Sequence, residues 1–276
     1  MKIAVKLNNI KELQLLGHYN GPIRTFELPA RLIKEKSIIG KHLKRGFNFN
    51  IHGIALYTRE MAQLLIKESC NYLGLISELG CTNLILHGLV SKGAVHSSDN
   101  DPLIEVILDT LSKINEYAQV LGVNCFLENG CYSKSFFGAI YEIPSDSQCH
   151  LELARTLAMG TVLDLGHAAL SSRWYGQSLS DFLKPYTQAS EPPGIIHFSD
   201  NLLENDDHLA VGAGKADLTC FKQAISACPD SLLTVENFPS GIQQSLNWLI
   251  QNSDDGYKES DADELCKIME WSLQKQ

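Results

Sequence analysis

Basic residues are the scarce class in this chain: 23 Lys and Arg stand against 32 Asp and Glu, a formal net charge of −9. That deficit removes any general attraction to nucleic acid or to an anionic membrane, although a local basic patch can override a total. Long apolar runs are missing too, and none approaches the roughly 20 residues that span a bilayer. The opening MKIAVKLNNIKE is too short in apolar residues and too charged for a secretory signal, so a cytoplasmic location is expected. Eight cysteines, at positions 70, 81, 125, 131, 149, 220, 228 and 266, include no C-x-x-C pair. Scattered in this way, they read as buried thiols of a reducing compartment rather than a disulfide or zinc-cysteine framework. No internal repeat is visible.

What is present is alternation. At 276 residues and 44% hydrophobic content, the chain can build one large core. Short strand-like runs fall at Lys2–Leu7, Ile23–Leu28, Phe47–Ile51, Asn83–Leu86, Asn124–Leu127, Thr161–Leu163, Gly194–Ile196 and Leu232–Val235. Between the later ones lie helical rhythms, such as Met61, Leu64, Leu65 and Leu73 within Thr58–Leu79, and Leu103, Val106, Ile107, Leu111 and Ile114 within Leu103–Leu121. Eight strands alternating with helices predict a closed (β/α)8 TIM barrel, with residues 1–276 as a single domain. An open Rossmann-type sheet would want a G-x-G-x-x-G after its first strand, and none is there. The run Gln251–Glu264 is polar and acidic. Beyond it, Leu265, Ile268, Met269 and Leu273 predict a short helix, so 251–276 is expected to be an acidic loop and a C-terminal helix packed on the barrel.

In such barrels the chemistry collects where strands end and loops open. The strand ends here carry Glu27 in FELP, His52 in NIHG, His87 in ILHG, Glu128 in FLENG, Asp164 and His167 in LDLGHA, His197 in IIHFSDN, and Glu236 in TVENF. The loop after His197 adds Asp206 and His208 in a D-x-H, followed by Gly212 and Gly214. Any one of these has an ordinary reading: a Glu as a loop residue, a His as a hydrogen-bonded structural group, Asp164 as the N-cap of the next helix. Together they are harder to dismiss, since five of nine histidines share this register and His18, His42, His96 and His150 fall outside it with surface or packing roles. Gathering so many carboxylates at one barrel mouth without a cation carries a penalty in repulsion and desolvation. A divalent metal site is therefore expected.

The ordered set LHG, LENG, LDLGHA, HFSDN, DDHLAVGAG and VEN, over about Lys2 to Trp248, resembles the xylose isomerase-like TIM barrel superfamily. That superfamily includes sugar phosphate isomerases and epimerases and the endonuclease IV type AP endonucleases. In the isomerase and epimerase branch, the resemblance implies one divalent ion (Mn, Mg or Zn) held by Glu128, Asp164, His197 and Glu236. Glu128 and Glu236 then move a proton beside a carbonyl through a metal-stabilised enediolate. In the endonuclease branch, His52, His87, His167, Asp206 and His208 join the quartet to hold three zinc ions for phosphodiester hydrolysis at abasic DNA.

The loops favour the first branch. Arg59, Lys92, Lys134, Arg173 and Lys215 are isolated positions and not a basic stripe, HGLVSKG lacks the Pro-containing segment of the endonuclease pattern, and ENG lacks its Thr. Ala213 also stands where both branches often carry Glu. The expected partner is thus a sugar or sugar phosphate, with nucleic acid as the alternative, no membrane, and no feature that fixes the oligomeric state. A metal lyase or a non-catalytic binding member of the same superfamily is a further alternative. Arg173 and Trp174 in SSRWYG are candidate substrate contacts, and Lys215, beside a helix start, is a candidate anion contact.

Overall fold

The computed structural model describes residues 2–54, 58–92, 101–135, 138–252 and 258–274. Its strands are β1 (Lys2–Lys6), β2 (Thr25–Pro29), β3 (Asn48–His52), β4 (Asn83–Leu86), β5 (Leu89–Lys92), β6 (Asn124–Glu128), β7 (Tyr132–Ser135), β8 (Gly138–Ile143), β9 (Gly160–Asp164), β10 (Ile195–Phe198) and β11 (Leu232–Val235). Its α-helices are α1 (Ile10–Leu15), α2 (Lys36–Lys44), α3 (Ala62–Leu79), α4 (Asp101–Val120), α5 (Ser147–Thr156), α6 (Leu165–Trp174), α7 (Leu179–Thr187), α8 (Leu218–Ala227), α9 (Pro239–Gln251) and α10 (Glu259–Gln274).

Eight of the strands close into a parallel barrel in the order β1-β2-β3-β4-β6-β9-β10-β11, with β11 pairing back on β1. The expected (β/α)8 architecture is therefore the observed one, and each barrel strand lies within two residues of its expected bounds. The reason is plain in the sequence. Helices cover the outside and side chains fill the inside, so each strand is buried on both faces and reads as a short apolar run.

The inside of the barrel shows how the packing is solved. Phe126 points inward from β6, and a Cβ at Gly160 or Gly194 would sit 2.5 or 2.9 Å from its ring. One large ring fills the volume that two neighbouring strands vacate. Ile85, Val162 and Ile195 complete this layer. At the strand starts, Asn124 donates to Asn83 and Asn83 to Asn50, at 3.1 and 3.0 Å.

Helix ends follow capping chemistry. Asn9 accepts from the Lys11 and Glu12 N–H groups while Glu12 reaches back to the Asn8 N–H at 2.6 Å, a reciprocal cap for α1. Asp146, Ser178 and Asp217 cap α5, α7 and α8. The helix α10 packs on α9 and α1, with Leu265 and Met269 buried and Glu264 accepting from the Asn20 N–H at 3.0 Å. Residues 253–257 of the acidic run, and the side chains of Ile268 and Leu273, lie outside the described residues. Among the described residues, no helix is long and apolar enough to cross a membrane.

One element was not anticipated. Strands β5, β7 and β8 form a separate antiparallel sheet in the order β5-β8-β7, built from the segments that follow β4 and β6. Its strands carry no clean two-residue alternation, so their residues read as loop. Two glycines seat it. A Cβ on Gly88 would fall 1.5 Å from the Ile143 carbonyl oxygen, and one on Gly130 would fall 2.4 Å from that of Glu142. Only glycine permits so close a backbone approach.

Candidate metal centre

The barrel mouth is built strand by strand. The ends of β1, β2, β3, β6, β9 and β10 bring up Lys6, Glu27, His52, Glu128, Asp164 and His197, and His87 and Glu236 follow β4 and β11 directly. All but Lys6 are buried to 6% exposure or less. Glu128, Asp164, His197 and Glu236 each offer a ligand atom, and these atoms lie within 4.8 Å of one another. His197 Nδ1 is the hub, 3.2 Å from Glu128 Oε1, 2.7 Å from Glu236 Oε2 and 3.9 Å from Asp164 Oδ2.

Around this quartet stand two further groups. His52, His87 and Glu128 converge within the same 4.8 Å span, and so do Glu27, His52, His197 and Glu236. On another side, His167 Nε2 and His208 Nε2 approach Asp206 Oδ2 at 3.3 and 3.0 Å. The ten strand-end and loop residues named from sequence thus gather into one region. Arg173, Trp174 and Lys215 do not. The first two end α6, where Trp174 stacks on Tyr132 at 3.6 Å and Arg173 donates to the Leu203 carbonyl at 3.0 Å. Both line a separate cavity of about 210 Å³. Lys215 is exposed.

Each imidazole has one nitrogen held by an acceptor and the other facing the carboxylates. His52 Nδ1 is 2.6 Å from Glu27, His87 Nδ1 is 2.9 Å from Glu142, and His197 Nε2 is 2.9 Å from Glu27. His167 Nδ1 donates to the Asn129 carbonyl at 2.8 Å, and His208 Nδ1 to that of Glu236 at 3.0 Å. Carboxylates and carbonyls only accept, so each of these nitrogens carries a proton. Such outer partners orient metal-ligating histidines. His52 Nε2 and His87 Nε2 then face each other at 2.6 Å. Two lone pairs at that distance repel unless a proton or a metal ion lies between them.

The orphaned acceptors test the fit of an ion directly. Glu128 Oε2, Asp164 Oδ2, Glu236 Oε2 and Asp206 Oδ1 are buried without a hydrogen-bond partner. A buried carboxylate oxygen left unpaired is strongly unfavourable, and one cation among the quartet would satisfy the first three. The two readings of Asp164 are compatible: Oδ1 caps α6 by accepting the His167 N–H at 2.7 Å, and Oδ2 is the orphan among the quartet's oxygens. Asn129 fixes that residue from behind, accepting from the Asp164 N–H at 2.7 Å and donating to its carbonyl at 3.1 Å.

Electrostatics divide the histidines. Burial works against charge on His197, but Glu27 and Glu128 overcome it and push the imidazole up to about 10. Burial, with Lys6 nearby, pushes His52 down to about 3 although Glu27 opposes. Burial would raise Glu27 and Glu128, yet the facing His197 holds both carboxyls below their usual range, helped by His52 at Glu27 and His87 at Glu128. Asp206 is held down in the same way, against burial, by His167 and His208. Protons on imidazoles thus supply the positive charge that these carboxylates require.

Several functional residues escape a reading of the sequence alone. Lys6 pairs with Glu236 Oε1 and lies 3.8 Å from Glu27 Oε1, and its place at the end of the first strand is the available signal. Glu27 stands out at its strand end but without a role, whereas it holds two histidines. Glu142, on β8, has no signal because the extra sheet is not foreseen. Asp200, in HFSDN, is the organiser of the glycine loop. It accepts from the Asn201, Gly212, Gly214 and Ala216 N–H groups at 2.8 to 3.1 Å, and a Cβ on Gly214 would fall 2.2 Å from it. Of the remaining histidines, His42 and His150 are buried and hydrogen-bonded to the Leu13 and Leu127 carbonyls. His18 is exposed, and His96 lies outside the described residues.

No family model matches the chain, and no curated protein matches it in sequence. Solved structures do match. A D-tagatose 3-epimerase-like protein is 16% identical with a TM-score of 0.66, over 99% of this chain and 100% of that one. A D-psicose 3-epimerase with D-tagatose from Clostridium cellulolyticum is 11% identical with a TM-score of 0.62, over 99% of each chain. A Thermus thermophilus protein soaked with ZnCl2 is 17% identical with a TM-score of 0.63, over 94% of this chain and 100% of that one. At these identities the likeness establishes the fold, a closed (β/α)8 barrel, and the chemistry must be argued from the site.

Proposed function

We propose that the chain, acting as one barrel domain, is a metal-dependent isomerase or epimerase of a sugar or sugar phosphate. The observation that carries this is the quartet: Glu128, Asp164, His197 and Glu236 converge within 4.8 Å with three orphaned carboxylate oxygens among them. Three hard oxygen donors and one imidazole suit Mn²⁺, Mg²⁺ or Zn²⁺. The bound ion supplies Lewis acidity, polarising a substrate carbonyl and its neighbouring hydroxyl. Epimerases of ketoses among the structures sharing this fold support the substrate class.

The chain's own residues do the rest. Glu128 and Glu236 are the carboxylates that remove and return the proton beside the carbonyl. Glu236 Oε1 is committed to Lys6, so its proton chemistry runs through Oε2 or is shared with the Lys6 amine. A cavity of about 410 Å³, bounded in part by Lys6, Asn8, Arg31, His52 and Tyr72, opens beside these groups and is the place for the substrate. Arg173 and Trp174, which line the separate cavity, and exposed Lys215 are candidates for contacts beyond it. Among the described residues the mouth presents no basic stripe, which disfavours a nucleic-acid partner, and we assign the protein to the cytoplasm.

A second reading has its own observation. His52 with His87, and His167 with Asp206 and His208, stand on either side of the quartet and share its Glu128 or adjoin it. That set can hold three zinc ions and so fits a phosphodiesterase. The test is to incubate Mn²⁺-loaded protein with a panel of ketoses in D2O and follow deuterium incorporation by NMR. Incorporation at a carbon beside the carbonyl is expected. Its absence across the panel, with cleavage of an abasic-site oligonucleotide by protein holding three zinc ions, would replace the first reading with the second.

A further inference from the structure

We propose that Cys131, Glu142 and His167 form a separate, thiolate-bearing metal position, selective for a thiophilic divalent ion such as Zn²⁺. Their ligand atoms lie within 4.8 Å of one another, and all three residues are 5% exposed or less. None belongs to the quartet, so the inference is independent of the isomerase reading, and it competes with the phosphodiesterase reading for His167.

The fold assembles this group with care. Asn129, Gly130 and Cys131 leave the end of β6 in succession. The Asn129 carbonyl accepts from His167 Nδ1, which leaves Nε2 facing Asp206. Gly130 lets β8 pass at backbone contact, and the Glu142 N–H donates to the Cys131 carbonyl at 2.9 Å, fixing those two residues beside each other. Asp206 extends the set: Oδ2 lies 3.3 Å from His167 Nε2, and its buried Oδ1 has no partner. Thiol, imidazole and carboxylate supply three of the four ligands that zinc prefers, with Asp206 beside His167.

The donor chemistry separates the two positions. Three carboxylates and one imidazole favour Mn²⁺ or Mg²⁺, whereas a thiolate with an imidazole favours Zn²⁺. On ligation the Cys131 S–H bond breaks, the sulfur lone pair joins the ion, and the proton leaves to solvent. The mouth can then hold unlike metals side by side.

Cobalt is the probe, because a thiolate bound to Co²⁺ gives a charge-transfer absorption in the near ultraviolet that oxygen and nitrogen ligands do not. Metal-free full-length protein titrated with Co²⁺ should develop this band. Cys131→Ser should lose it, while Cys228→Ser, whose thiol is buried in the outer core, should keep it. No band in the wild type, or a band surviving in folded Cys131→Ser, overturns the proposal. Should Cys131→Ser fail to fold, X-ray absorption of the zinc-loaded wild type decides. A sulfur shell at about 2.3 Å supports the site, and a shell of nitrogen and oxygen alone refutes it.

Discussion

Glu236→Gln is the substitution that bears most directly on the proposed chemistry, because it changes one atom in a place where the backbone is already fixed. The Glu236 N–H donates to the Phe198 carbonyl at 3.2 Å and its carbonyl accepts from His208, and glutamine keeps both bonds. The amide oxygen can still accept from Lys6, as Glu236 Oε1 does. That leaves the NH2 group in the place of Oε2, 2.7 Å from His197 Nδ1 and among the quartet's ligand atoms, where it can neither bind a cation nor take a proton. Losing an acid–base group of this kind slows turnover by about 10²–10⁴-fold, roughly 3–5 kcal/mol of barrier. Removing a ligand should also weaken the quartet's metal by more than the roughly 10–100-fold typical of outer-shell changes. Deuterium exchange into a ketose, measured at saturating Mn²⁺ beside calorimetric metal titration and circular dichroism, separates these effects. A folded, metal-saturated variant exchanging within about threefold of wild type would refute the role given to Glu236.

Other perturbations should behave as follows. Stripping divalent ions with a chelator should lower the unfolding temperature by on the order of 10 °C, since an ion present at roughly 1,000 times its Kd contributes about 4 kcal/mol. An unchanged temperature would deny that the folded chain holds a metal. Gly88→Ala, with its Cβ driven onto the Ile143 carbonyl, should cost at least about 2 kcal/mol in urea denaturation. Gly74→Ala, inside α3 with nothing within 4 Å, should instead gain about 0.5–1 kcal/mol. Burial pushes His150 down to about 4 between the Tyr186 hydroxyl and the Leu127 carbonyl. Its unfolded form takes up the proton first as pH falls, so its contribution is whole above about pH 6.5 and is lost toward pH 4. About 2 kcal/mol should be gone by about pH 5. A wild type losing no more stability than His150→Gln between neutral and mildly acidic pH would contradict this.

The barrel was legible because its strands are buried on both faces. A run such as NLIL or GTVLD has to be apolar whichever way its side chains point, and its polar end marks where it leaves the core. The antiparallel sheet was illegible for the opposite reason. YSKS and GAIYEI carry no fixed period, and what holds them is the absence of side chains elsewhere, at Gly88 and Gly130. A glycine in sequence states that space is needed without saying what will occupy it. The motif HFSDN was visible as a unit, yet only His197 was given a role, because Asp200 acts on backbone N–H groups that have no sequence identity.

The site divides along the same line. Groups that a metal would touch are strand-end acids and imidazoles, and their residue types declare them. Groups that decide which nitrogen of each imidazole is free do not. Glu27 serves two histidines, Glu142 serves one from a sheet outside the barrel, and the Asn129 and Glu236 carbonyls serve the others. If these five histidines were ordinary packing residues, hydrogen bonds on both nitrogens would suffice, as His150 makes to Tyr186 and Leu127. His52 and His87 are instead secured at the back, and their two Nε2 atoms meet at 2.6 Å, where a proton or a cation has to sit between them. Outer nitrogens held by protein acceptors and inner nitrogens turned on one another are what a pair of cation ligands would show, and that asymmetry sets His52 and His87 apart from a satisfied core histidine such as His150.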